Sequence, residues 1–291
     1  MSKILVTGAT GLLGIKIIDH LLKRIPANQI VALARDAEKG INISEKGVEV
    51  RVADYFNYDA LLQAFEGIEK VLLIGSHSFT DRFTQHYNAI TAARQAGVKH
   101  IVYNSIMRKD RIFPDISDSD IFSEQTLKAS GLTYTILHQP PFTEVLHFYY
   151  GFTPYDKGFR LSKGKGKMSP VTRNDLAEAE AVILTTSGHE NKSYDLTGSE
   201  AISFADIAKI LEDLKGQPVP YEVIADKAYK DMRIAEGIPP FMAEFAFNWV
   251  DFINSGEYDG SPEVIEDLLG RKTMTMRAYL ENTQELEKPQ I

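Results

Sequence analysis

The 291-residue chain has no cysteine and a single tryptophan. Without a thiol there is no disulfide, no thiolate nucleophile and no Cys-ligated zinc or iron–sulfur centre. Asp and Glu outnumber Lys and Arg by 40 to 32, a formal charge of −8. That balance argues against direct nucleic-acid binding or a broad anionic-membrane surface, because both partners are held mainly through Lys and Arg; a local basic pocket stays compatible with it. No apolar stretch approaches the length of a membrane span. A first strand already under way at Lys3 leaves no room for a signal peptide, so the cytoplasm is the expected compartment. HExxH, GxSxG, internal repeats and low-complexity tracts are missing as well, and no metal is expected.

What is present is organised around residues 3–14, Lys-Ile-Leu-Val-Thr-Gly-Ala-Thr-Gly-Leu-Leu-Gly. Ile4, Leu5 and Val6 form an apolar run too short for a helix, the pattern of a buried parallel strand. Gly8, Gly11 and Gly14 follow, and from Leu12 the apolar residues Leu13, Ile17, Ile18, Leu21 and Leu22 take helical period. A strand that turns through glycines into a helix offers a phosphate the unpaired N–H groups and positive dipole end of that helix. The spacing is GxxGxxG rather than GxGxxG. With strand and helix both in place, it predicts a dinucleotide site.

The chain then alternates. Gln29–Arg35 reads as a second strand, and Arg35 stands where an Arg accommodates the 2′-phosphate of NADP and an Asp or Glu would bond the ribose of NAD. NADP(H) is therefore the expected cofactor. Residues 48–53 form a third strand leading to Asp54 and Tyr55, candidates for the adenine side, with a helix N-cap as the alternative role for Asp54. Val71–Ser76 is a fourth strand whose small residues Gly75 and Ser76 let a cofactor lie close. His77 beyond it is a catalytic candidate facing the nicotinamide half, against a purely structural role. A helix near 81–96, a strand over 98–105, a helix near 120–130 and a strand over 132–137 complete a Rossmann-type doubly wound parallel sheet.

The Thr-Gly-Ala-Thr-Gly-Leu-Leu-Gly run resembles the short-chain dehydrogenase/reductase superfamily in its extended and atypical branches. That resemblance makes Ser105, at the end of the fifth strand, the positional analogue of a serine that hydrogen-bonds a substrate carbonyl. Typical members also carry Tyr-x-x-x-Lys, which places the two side chains one helical turn apart. This chain has none. On the helix where the pair belongs stand Glu124 and Lys128, expected to form an ordinary exposed pair.

Ala92-Ala-Arg-Gln-Ala-Gly-Val-Lys-His-Ile-Val-Tyr, Ser130-Gly-Leu-Thr-Tyr-Thr-Ile-Leu and Pro170-Val-Thr-Arg-Asn-Asp-Leu-Ala-Glu-Ala narrow the likeness to the NmrA-like atypical members. Within them the chain is most similar to the bacterial NADPH-dependent quinone oxidoreductase and triphenylmethane reductase group. The resemblance implies cofactor contacts at Gly8, Thr10, Gly11, Leu12, Leu13, Arg35, Asp54, Gly75, Ser76, Gln139, Pro140, Pro141, Phe142, Thr143, Glu144 and Arg173. It also shows departures: relatives commonly read Leu-Arg-Asn where this chain has Leu137-His138-Gln139, and a histidine where it has Asp120.

In the second half, Phe142, His147, Phe148, Tyr149, Tyr150, Phe152 and Tyr155 suit either a wall over a flat substrate or packing between lobes. Lys163-Gly-Lys-Gly-Lys167 lacks P-loop spacing and reads as a solvated turn. Asn174 and Asp175 open a helix. Phe241, Phe245, Trp249 and Phe252 recur at helical spacing, a stripe that suits a core or a homo-oligomer face. The expected organisation is a Rossmann domain over residues 1–150 with a return segment near 170–200, interleaved with a smaller, mostly helical substrate lobe over 151–291.

Two functions follow. One is NADPH-dependent hydride transfer to a quinone or similar flat electrophile without a tyrosine acid, because a quinone is electrophilic enough to accept hydride once the rings are stacked. The other is a non-catalytic NADP(H) redox sensor that binds a regulatory protein.

Overall fold

The computed structural model describes residues 3–75, 81–108, 117–151 and 158–283. The chain divides into two compact units, one built from Met1–Ile106, Pro114–Gln139 and Arg173–Asp195, the other from Met107–Phe113, Pro140–Thr172 and Leu196–Ile291.

In the first unit seven strands lie in the order β3-β2-β1-β4-β5-β6-β7, every neighbouring pair parallel. They are β1 (Ile4–Val6), β2 (Ile30–Ala34), β3 (Glu49–Val52), β4 (Lys70–Leu73), β5 (His100–Ile106), β6 (Thr133–Gln139) and β7 (Lys192–Asp195). Ile4 pairs with both Ile30 and Lys70, so β1 is central and the strand order reverses between β1 and β4. Such a reversal opens a crevice at the carboxyl ends of the strands. Helices α1 (Leu12–Leu22) and α5 (Arg173–Thr185) pack on one another, while α2 (Tyr58–Ala64), α3 (Arg82–Gln95) and α4 (Ser117–Ala129) pack in series.

All five residues of β2 are buried, as a strand covered on both faces requires. α1 buries Leu13, Ile17, Ile18 and Leu21, and full burial of such side chains stabilises the fold by about 1.5–3 kcal/mol each. β5 and β6 run further than expected, to Ile106 and Gln139. β7 was not legible because only Tyr194 of its four residues is even half-buried.

The second unit holds α6 (Phe204–Lys215), α7 (Asp226–Ala235), α8 (Pro240–Asn254), α9 (Glu263–Leu269) and α10 (Met276–Asn282), with two two-stranded ribbons. Its aromatic stretch packs within the unit: Tyr150 stacks on Phe159 at 4.1 Å between ring centroids, and Tyr149 on Trp249 at 6.2 Å. Phe148, Tyr149 and Tyr150 are buried; Phe152 and Tyr155 lie outside the described residues. The α8 stripe grades from buried Phe252 to Phe241, which is 60% exposed. The lysine loop is not a freely solvated turn. Asn254 Oδ1 accepts from the N–H groups of Lys165 and Gly166, and a Cβ on Gly166 would lie 2.2 Å from Asn254 Cα.

Candidate active site

The glycine turn opens the site. Thr7, at the end of β1, accepts a hydrogen bond from Ile74 N–H through its Oγ1 at 2.9 Å and donates its own N–H to Leu72 O at 3.0 Å, tying the turn to the end of β4. Gly8 has φ +57°, the left-handed region that glycine enters without steric cost. Gly14 sits where a Cβ would lie 2.3 Å from Gly8 O and 2.7 Å from Ala9 Cα. Gly11 is the N-cap of α1 and has no side chain to satisfy the first turn; that turn also carries no acidic residue. Among the described residues the N–H groups of Leu12, Leu13 and Gly14 have no backbone acceptor. The cradle therefore keeps room and unpaired donors for an anionic diphosphate, and the residues present fit a dinucleotide. Thr10, Gly11 and Leu12 are accessible, whereas Leu13 is buried and contributes its backbone alone.

Arg35 follows β2 and is exposed, with no hydrogen bond or ion pair among the described residues. Asp54 is not a helix cap. Its Oδ1 accepts from Phe56 N–H at 2.8 Å, while Asn57 caps α2 by accepting from Ala60 N–H at 3.0 Å. Tyr55 donates its phenol to Ile74 O at 3.0 Å, and burial holds that phenol well above its ordinary pKa. These bonds bring the glycine turn, the Asp54 segment and Gly75 to one edge of the sheet. Ser76 and His77 lie outside the described residues.

Behind that edge lie two buried polar groups. In the first, Arg82 Nη2 donates to Asp120 Oδ1 at 2.9 Å, and Tyr103 donates its hydroxyl to the same oxygen. His86 Nδ1 is 2.8 Å from Ser123 Oγ and 3.2 Å from the Tyr103 hydroxyl. Burial, helped by the Arg82 charge, pushes His86 down to about 3, so it is neutral at physiological pH. Asp120, a departure in the sequence, is thus the buried counter-ion of Arg82.

The second group corrects the reading of Glu124. It is buried rather than exposed, and it accepts a hydrogen bond from Ser105 Oγ at 2.6 Å. The physical reason is that Asp120, Ser123, Glu124 and Leu127 share the i, i+3, i+4, i+7 face that α4 turns inward. Glu180, on the apolar face of α5, is also fully buried; it accepts from Asn104 Nδ2 at 3.2 Å and from Gln139 Nε2 at 2.5 Å. Burial raises its carboxyl to about 8, although both amides oppose the shift. Its place between Leu176 and Leu184 on one helical face was the signal that could have found it. Arg173 opens α5 with its side chain buried.

Pro140, Pro141, Phe142, Thr143 and Glu144 fall in the second unit. There Phe142 bridges to Val171, and Thr143 N–H donates to Val171 O at 3.0 Å. Among the described residues no group of three His, Asp or Glu side chains is placed to hold a metal ion.

A glycine turn with unpaired helix donors at the switch point of a parallel sheet defines a dinucleotide-binding fold. Residues 8–187 match the NAD(P)H-binding family model, and the chain belongs to that family. Its cofactor class is NAD(P)H. The chain is 35% identical to quinone oxidoreductase 2 of Escherichia coli over 277 residues, 94% of this chain and 96% of the relative. It is 30% identical to the NAD(P)H azoreductase of Xenophilus azovorans, over 95% of this chain and 96% of that one. The structure of the Escherichia coli NADPH-dependent quinone oxidoreductase with NADPH superimposes with a TM-score of 0.91 at 32% identity, covering 96% of this chain and 98% of the other. Citrobacter triphenylmethane reductase with NADP(H) gives 0.89 at 32% identity over 97% and 100%.

Proposed function

We propose that the protein is a cytoplasmic NADPH-dependent oxidoreductase that transfers hydride to a quinone or similar flat electrophile without a tyrosine acid. Residues 1–150, with the return segment near 170–200, supply the cofactor half and 151–291 the acceptor half. The observation that carries the cofactor choice is Arg35, an exposed guanidinium at the end of β2 with no partner among the described residues. A free Arg at this place suits a 2′-phosphate, through charge-assisted bonds that a 2′-hydroxyl cannot match. The quinone class is supported by the relatives' names and by the missing Tyr-x-x-x-Lys pair.

NADPH supplies the hydride when bound. The chain's own part is that the first-turn N–H groups of α1 would hold the diphosphate, with Gly8 shaping the approach. Arg35 would hold the 2′-phosphate. Beyond β4, Gly75 leaves room for the Arg82 guanidinium, which a Cβ there would meet at 2.6 Å, and the neutral His86 lies in the buried cluster that Arg82 shares with Asp120 and Tyr103. Orientation and exclusion of water then bring the reacting atoms to attack distance. Steady-state oxidation of NADPH with benzoquinone as acceptor tests the reading. Acceleration by the quinone supports it; a protein that binds NADPH but is stimulated by no quinone contradicts it, and its capture of one specific protein partner in a single redox state of the cofactor would favour the sensor.

A further inference from the structure

Where β5, β6 and β7 end, four side chains of the first unit run in line from a buried hydroxyl towards water. Ser105 Oγ is the inner end; the residue is 4% exposed and donates to Glu124 Oε1 at 2.6 Å. His138 Nε2 is buried, makes no hydrogen bond among the described residues and stands 3.5 Å from that same oxygen. On its other side His138 Nδ1 is 2.7 Å from Asp195 Oδ1, and the Asp195 side chain is 60% exposed.

The titratable groups facing His138 are Glu124 from α4 and Asp195 from β7, both acids. Burial disfavours the imidazolium, but the hydrogen bond to Asp195 and the charges of both carboxylates outweigh it and raise His138 to about 9. The ring therefore carries a proton at neutral pH. None of the four side chains belongs to the glycine cradle or to the Arg35 site. A structural ion pair would need only His138 and one carboxylate. Here the chain continues inward to a hydroxyl shielded from water, at the strand ends where ligands of parallel sheets sit.

We propose that these four residues form a proton relay in which Ser105 protonates the reduced acceptor, while Glu124, His138 and Asp195 position and reload it. The proposal rests on the reductase reading above. An acceptor that has taken a hydride has gained two electrons and one hydrogen, and it bears a negative charge on oxygen or nitrogen. The Ser105 O–H bond breaks as an O–H or N–H bond forms on that atom. His138 gives its Nε2 proton to the Glu124 carboxylate, and the Glu124 carboxyl then passes that proton to the serine oxygen. The neutral imidazole keeps its Nδ1 proton; a ring flip brings the bare nitrogen to the Asp195 side, where it takes a proton from water, so the net proton comes from solvent.

The test uses the whole chain with NADPH and two acceptors, benzoquinone and an azo dye. Hydride transfer leaves a weakly basic oxyanion on the first and a strongly basic nitrogen anion on the second. Ser105→Ala is expected to lower azo turnover about 100-fold and benzoquinone turnover less than about tenfold, with Ser105→Thr restoring most of the loss. Wild-type kcat is expected to fall as pH rises through about 9, the value His138 holds, and His138→Gln to abolish that limb. In the cofactor-free chain, NMR titration of His138 is expected to show a midpoint near 9 that moves towards 6.5 in Asp195→Asn and Glu124→Gln. If the wild type reduces only benzoquinone, the alkaline limb and the titration decide. Should the wild type turn over while Ser105→Ala and His138→Gln keep its acceptor ratio and pH profile, the relay is wrong and the reductase reading stands. Should the wild type bind NADPH and reduce neither acceptor, the reductase reading falls and takes the relay with it.

Discussion

Asp120 shows how one side chain commits its neighbours. The carboxylate is buried, pairs with Arg82 at 2.9 Å and accepts the Tyr103 hydroxyl, so two groups depend on one acid. Removing one partner of a buried ion pair costs more than the pair contributes, because the remaining charge stays in a poorly solvated place. Asp120→Ala is therefore expected to destabilise the protein by on the order of 3–5 kcal/mol, read as a shift in the urea midpoint. A loss under about 1 kcal/mol would show that Arg82 finds solvent instead. At this scale the sequence was legible for the backbone of Gly8, Gly11 and Gly14, where a left-handed turn, an N-cap and a close approach leave no place for a side chain. Glu124 and Glu180 were not, because an acid on a helix is ordinarily solvated and only the tertiary fold shows which face is buried.

Among the elements, the strand–turn–helix over β1 and α1 was readable because its constraints are local. An apolar run, glycines and a change of period all lie within about one turn of one another. The same segment makes a prediction: a Cβ at position 14 would meet Gly8 O at 2.3 Å, so the turn must shift to admit it. Gly14→Ala is expected to weaken NADPH binding roughly tenfold or more, about 1.4 kcal/mol, in a fluorescence titration. Unchanged affinity in a folded variant would remove the turn from the cofactor site. β7 and the ribbons of the second unit were not readable. The ribbons are two or three residues long, and β7 carries a polar sequence at a sheet edge, so their pairing is set by the rest of the fold. Likewise the aromatics near Tyr150 were legible as a cluster, but only their stacking on Phe159 and Trp249 shows that they form core.

For the whole molecule, the buried titratable groups set the pH of greatest stability. His86 and His100 are held down to about 3 and 4, mainly by burial, so they stay neutral in the fold; as pH falls below their ordinary 6.5 the unfolded chain binds protons the fold refuses, and stability drops. Glu180 and His138 act in the opposite sense. Their folded values of about 8 and 9 lie above the ordinary 4.5 and 6.5, so the fold holds the extra protons and loses that advantage as pH rises through 8 and 9. Stability is expected to peak near pH 6.5 and to fall by on the order of 2–4 kcal/mol by pH 9 in urea titrations. A plateau from pH 6 to 9 would mean that Glu180 and His138 are not held as described.

The most direct test of the account is the ratio of kcat/KM for NADPH to that for NADH, with benzoquinone as acceptor, in the wild type and in Arg35→Ala. Turnover is expected to favour NADPH, and that preference to fall at least about tenfold when the guanidinium is removed. A wild type that favours NADH, or a variant that keeps the full NADPH preference, would contradict it.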